Sequence, residues 1–164
     1  MSHFAAMKTQ ITDRNALVTG LQNLLTLHSI PAIVEVHETP TILENAYDRN
    51  AESTCANVII RRSHLNTEHR EALLDIGFLK SQNGPYELIA DSWDLQRNAI
   101  GHIGSIQTFL TQLQIQYNIA VVRQTMPSHL WEHSEIQQLE DGTQRLVLTQ
   151  RLVLTQRPIE VTVL

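Results

Sequence analysis

Leu73-Leu-Asp-Ile-Gly-Phe-Leu-Lys-Ser-Gln-Asn-Gly-Pro-Tyr-Glu-Leu-Ile-Ala-Asp-Ser-Trp93 is the stretch whose reading decides the fold. Two short apolar runs flank Ser81-Gln82-Asn83-Gly84. Asn-Gly is a strong hairpin signal because both residues tolerate φ > 0. Pro85 opens the return strand, where a missing N–H costs least. The stretch therefore predicts a central β-hairpin with Asn83 and Gly84 at positive φ.

Upstream, residues 4–11 read as a first strand. Thr12 or Asp13 then offers an N-cap to a helix over residues 13–27, with Leu17, Leu21, Leu24, Leu25 and His28 at helical spacing. Gly20 inside it carries an intrinsic cost of ~1 kcal/mol. Ile30-Pro31 ends the helix, since the residue before proline is pushed out of the α region. Residues 33–36 form a short strand, residues 38–55 a long polar loop, and residues 56–62 a buried strand around Val58-Ile59-Ile60. The charged segment 63–71 has room for one helical turn.

Downstream, a polar stretch containing glycines leads to Ser105. There a second helix places Ile106, Phe109, Leu110, Leu113, Tyr117, Ala120 and Val121 on one face, with Pro127 as its limit. Residues 131–139 and 143 onward read as strands about an Glu140-Asp141-Gly142 turn. The class is α+β, an antiparallel sheet with two helices packed on one face, and a ferredoxin-like arrangement is the preferred version. Residues 1–150 are expected to form a single domain. Residues 151–164 form a C-terminal extension, because Arg145-Leu-Val-Leu-Thr-Gln150 is repeated at once as Arg151-Leu-Val-Leu-Thr-Gln156. The first copy is expected to pair with residues 131–139 in the core sheet. The second is a peripheral strand with an edge open to self-association.

With 164 residues and 42% hydrophobic content, one domain with its own core is the expectation. Twelve basic against seventeen acidic residues give a charge of −5, and aromatics are only 5%. Both disfavour nucleic-acid binding, which needs concentrated cations and stacking platforms. Cys55 is the one cysteine, so no intrachain disulfide or thiolate cluster forms and a reducing compartment is the natural home. No apolar run is long enough to insert in a membrane, and the first residues lack a secretory pattern. A cytoplasmic location follows.

Catalytic signatures are not assembled. His129-Leu-Trp-Glu132-His133 matches the inverted zinc-peptidase pattern literally. A strand there would not set both imidazoles on one face, so no zinc, and no metal or cofactor elsewhere, is expected. His64 and His69 flank a charged Thr67-Glu68, and Gly101-His102-Ile103-Gly104 is too sparse for a phosphate loop. Asp75 and Asp91 stand at the same end of the hairpin. They are read either as a carboxylate pair for a cation or shared proton, or, preferably, as local caps. Gly77 either admits a partner backbone beside Phe78 or marks a bulge. Trp93 is core-edge packing or a binding anchor. Asp75, Gly77, Phe78, Asp91 and Trp93 are the candidate partner-binding residues, and no catalytic residue is named.

Met1-Ser2-His3-Phe4, Lys8-Thr9, Asn57-Val58-Ile59-Ile60-Arg61, Asp75-Ile76-Gly77-Phe78 and Tyr86-Glu87-Leu88-Ile89-Ala90-Asp91 occur in this order. Phe109-Leu110, Tyr117-Asn118 and Glu140-Asp141-Gly142 follow them. Their ordered combination resembles the hypothetical chloroplast reading frame thirty-five family of algal plastids and cyanobacteria. Residues 38–55 and 63–73, Met126-Pro127-Ser128-His129 in place of a glycine turn out of the helix, and the tail beyond Gln150 depart from that pattern. The resemblance implies a photosynthetic lineage, in a cyanobacterial cytosol or plastid stroma, and transfers no catalytic residue. Two functions are carried forward. The first is a non-enzymatic adaptor binding a protein partner through the sheet face or edge. The second is a small metal- or ligand-binding enzyme using carboxylates and histidines near the hairpin.

Overall fold

The computed structural model describes residues 3–46, 54–126, 131–140 and 144–150. The chain divides into two compact units, residues 1–122 and 123–164. Residues 151–164, expected as a C-terminal extension, lie outside the described residues.

Five strands of the first unit form one sheet: β1 (Ala5–Lys8), β2 (Val34–Ile42), β3 (Cys55–Ile60), β4 (Ile76–Lys80) and β5 (Tyr86–Ala90). Their order is β1-β5-β4-β3-β2, and all four pairings are antiparallel. The α+β class is as expected, and the ferredoxin-like version is not. A ferredoxin-like sheet is built through split βαβ crossovers. Here β2 to β5 run as consecutive neighbours, and β1 closes on β5 with Ala5 opposite Ala90.

Helix α1 (Arg14–Leu27) starts at Asp13, whose Oδ1 accepts from Ala16 N at 2.7 Å. It ends through Ser29, held at φ 55°. Helix α3 (Ile106–Thr125) follows the short α2 (Ser92–Leu95) and a 3₁₀ turn at Ala99–Ile103, neither of which the apolar pattern had shown. Alternate strand residues Val58, Ile60, Ile76, Phe78 and Leu88 form one buried cluster with Leu17, Leu21 and Leu24 of α1 and Phe109 and Leu113 of α3. Gly20 is what lets the helices meet: a Cβ there would lie 3.0 Å from Tyr117 N. Tyr117 Oη in turn accepts from Thr12 N and Asp13 N, each at 3.2 Å. The opposite sheet face carries a smaller cluster of Leu43, Ala56, Ile59 and Ile89.

Two local expectations are corrected. The hairpin is present, with Gly77 opposite Ile89 and Lys80 opposite Tyr86. Its turn, however, is closed by Gly84 N donating to Ser81 O at 3.4 Å, and neither Asn83 nor Gly84 has positive φ. Five residues separate the paired ends, which relieves the strand-twist demand that selects the two-residue mirror-image turns. The loop expected over residues 38–55 begins instead as a continuation of β2 to Ile42. The ladder skips from Val36–Val58 to Thr41–Ala56, so four residues of β2 bulge against Asn57 alone. The buried Asn57 side chain fills the gap. Its Nδ2 donates to the His37 and Glu38 carbonyls, at 3.4 Å each, while its Oδ1 accepts from Lys80 N at 3.0 Å.

In the second unit, β6 (Trp131–Gln138) pairs antiparallel with β7 (Gln144–Gln150). The first hexapeptide copy thus finds its expected partner, but as a separate two-stranded sheet rather than within the core sheet.

Candidate functional site

The antiparallel register that sets Ile60 against Ile76 brings Arg61, one residue beyond, to Asp75. Asp75 has no solvent exposure. Its Oδ1 accepts from Arg62 N at 2.7 Å, and its Oδ2 accepts from Glu44 N and Arg61 Nη1, both at 2.8 Å. Arg61 reaches the other way as well, donating from Nε to Glu35 Oε2 at 2.8 Å and from Nη1 to the Ile42 carbonyl at 3.2 Å. Glu35 is the diagonal cross-strand neighbour of Arg61, because it pairs with Ile59. His37 Nε2 lies 3.1 Å from the same Glu35 oxygen. A line of polar contacts thus crosses the sheet from the buried Asp75 through Arg61 and Glu35 to the half-buried His37.

Burial alone would raise the Glu35 carboxyl, but the His37 and Arg61 hydrogen bonds outweigh it and hold the group below its ordinary value. For Arg61 burial opposes the charge, and hydrogen bonds to Asp75 and Glu35 more than restore it. Both Asp75 oxygens are already occupied by donors. The network ties β2, β3 and the start of β4 together.

Asp91 does something separate. Its Oδ1 accepts from Asp94 N at 2.7 Å as the cap of α2, and its Oδ2 accepts from His3 N at 2.8 Å. Asp75 and Asp91 therefore turn to different partners: Asp91 is a local helix cap, whereas Asp75 binds groups distant in sequence. The buried acid on this side is Asp94, which takes Leu73 N at 3.0 Å and Leu74 N at 3.1 Å. Burial pushes its carboxyl up, and those two N–H groups offset only part of the rise.

Of the other expected partner-binding residues, Gly77 and Phe78 are closed to solvent. The space beside Gly77 is filled by the chain's own side chains: a Cβ there would meet Ala56 Cβ at 2.6 Å and Leu43 Cδ1 at 2.8 Å. Asp75, Gly77 and Phe78 hold the sheet and present no surface to a partner. Asp91 is half-buried, and Trp93 is 49% exposed with the Arg97 guanidinium 4.2 Å from its ring centroid. Glu132 and His133 lie in strand β6, while His129 is outside the described residues. Among the described residues no group of three or more His, Cys, Asp or Glu side chains is placed to hold a metal ion. No described helix is long and apolar enough to cross a membrane.

What the sequence reading missed is the role of Arg61 and Glu35, and the length of β2. A usable signal existed. An arginine closing one apolar strand and an aspartate opening the next come opposite each other when the two strands pair antiparallel with their ends aligned, as Ile60 and Ile76 do. Strand β2 is an outer strand of the sheet, and Ile33, Val36 and Ile42, on or beside it, are 63%, 43% and 57% exposed.

No curated protein matches the chain, and no solved structure does. One family model matches residues 34–147, more than half of the chain and the part that holds β2 to β5 with the Glu35–Arg61–Asp75 network. The chain belongs to the family described as proteins of unknown function (DUF1257).

Proposed function

We propose that the protein is a non-enzymatic adaptor that takes an extended segment of a protein partner against the outer edge of β2. Its main support is the clustering of exposed apolar side chains there: of five exposed large hydrophobics among the described residues, three are Ile33, Val36 and Ile42. An edge strand offers unpaired N–H and C=O groups, and apolar side chains beside them supply specificity in strand addition. The bulge opposite Asn57 and Pro40 keep the middle of β2 out of a regular ladder. Docking therefore uses its two ends. Trp93 stacked with Arg97 is a second exposed anchor of the type enriched at binding hot spots. A photosynthetic setting, in a cyanobacterial cytosol or plastid stroma, belongs to the same proposal and draws on the ordered motifs quoted above. So does self-association through the second hexapeptide copy.

The test is affinity capture from the native host, comparing the full chain with Val36→Lys and Ile42→Lys combined. A stoichiometric partner retained by the wild type and by Trp93→Ala, and lost from the edge variant, is expected. A partner held equally by the edge variant would refute the assignment of the surface, and retention of no protein would refute the adaptor role.

A further inference from the structure

Two stretches that carried no chemistry on their own, the turn holding His69 and the segment holding His102, form opposite walls of one groove in the first unit. With residues 28–31 at the exit of α1 they line an open groove of about 900 Å³. That is the size of a site for a small organic molecule.

The charges in it are unusual for a chain of net charge −5. Arg14, Arg61 and Arg62 are each set against a carboxylate, at 2.7, 2.8 and 3.4 Å. Among the described residues Arg70 and Arg97 have no such partner, and both line this groove. Glu68 is the one acidic side chain lining it, against two guanidiniums and the imidazoles of His28, His69 and His102. The Arg97 guanidinium lies 4.2 Å from the Trp93 ring centroid, a cation–π contact that restrains it and uses the ring face rather than the N–H donors.

The walls are fixed too. Thr67 and Arg70 exchange backbone hydrogen bonds at 2.9 and 3.3 Å, and Ala99 N donates to Leu65 O at 2.9 Å, joining one wall to the base of the other. Gly101 makes the second wall possible, because a Cβ there would strike the Gln96 backbone. A groove whose backbone walls are held in place before binding loses less entropy when the ligand arrives.

We propose that this groove binds a small phosphate ester, with Arg70 and Arg97 gripping the phosphate and the remaining volume taking its organic portion. The planar guanidinium fork matches phosphate geometry, and a volume of this size exceeds what inorganic phosphate alone fills. The site is distinct from the β2 edge and does not depend on the adaptor assignment.

The experiment titrates the full chain with ADP, ribose 5-phosphate and inorganic phosphate at constant ionic strength, following backbone amides by NMR. Saturable shifts confined to residues 28–31, 66–70 and 96–102 are expected, with either ester tighter than inorganic phosphate. Arg70→Gln and Arg97→Gln should each weaken binding about tenfold, the effect of losing one charge-assisted contact. Arg97→Lys, which keeps the charge and loses the fork, should also weaken it. Lys8→Gln, in a separate concavity beside α3, should change nothing. Thermal midpoints of all variants establish that they fold. No saturation by millimolar ester, shifts centred elsewhere, equal binding of inorganic phosphate, or a combined Arg70 and Arg97 variant that binds like the wild type would each overturn the proposal.

Discussion

Asp75→Ala should cost the protein about 3–5 kcal/mol, the range for removing one member of a buried ion pair. The magnitude can be built from the contacts. The substitution strips acceptors from Arg62 N and Glu44 N, and from Arg61 Nη1, all within 2.8 Å of a carboxylate that has no solvent exposure. Each buried N–H left unpaired costs about 1–3 kcal/mol. Arg61 is only partly stranded: its side chain is 17% exposed, and Glu35 and the Ile42 carbonyl remain as partners. The loss therefore belongs nearer 3 than 5 kcal/mol on the same scale. Urea unfolding followed by circular dichroism would show the midpoint falling by about 1.5 M at an m-value of ~2 kcal/mol/M. Asp75→Asn, which keeps the shape and one acceptor, should lose less and provides a folded variant should the alanine form fail to fold. A cycle with Arg61→Met should show coupling well above the ~0.5 kcal/mol expected of independent sites. A loss under ~1 kcal/mol for Asp75→Ala, or additive behaviour in the cycle, would refute the view that this pair locks β3 to β4.

The Glu35 carboxyl is held below its ordinary value of 4.5 in the fold, so its stabilising contribution is present above that pH and fades as pH falls through the folded value. Urea midpoints of wild type and Glu35→Gln should accordingly converge between pH 5 and pH 3, in proportion to the shift, whereas a constant separation would contradict the network (both limits are approximate, bracketing the ordinary carboxylate range). Gly77→Ala should lose about 1–3 kcal/mol, because its Cβ would sit 2.6 Å from Ala56 Cβ in a packed layer; an unchanged melting temperature would show that the layer yields. Gly84→Ala should be mild, at most about 0.5 kcal/mol, since the backbone there is not left-handed and the nearest atom, Ser81 Cβ, is 3.3 Å away. A loss several times larger would restore the positive-φ turn.

Local pattern carried much of this fold. The heptad-like leucines behind Asp13 mark α1 to within a residue, the apolar runs on either side of Ser81 mark β4 and β5, and the spacing from Ile106 to Val121 marks α3. The hexapeptide's first copy also pairs where alternation placed it. Such signals are legible because helix and strand periods are written in neighbouring residues. Pairing is not written there. That β1 joins β5 across some eighty residues depends on which buried faces close together, and nothing local separates that order from a ferredoxin-like one. The same holds for single residues. Gly20 costs helix propensity by itself and is explained only by the Tyr117 backbone pressed against it. Asn57 reads as a polar interruption of a strand until its side chain is seen filling the gap in the β2 ladder. Arg70 and Arg97 lie 27 positions apart, and only the folding of three segments around one groove makes them neighbours in function. Periodicity fixes which side of an element is buried, while tertiary packing alone decides what that side is buried against.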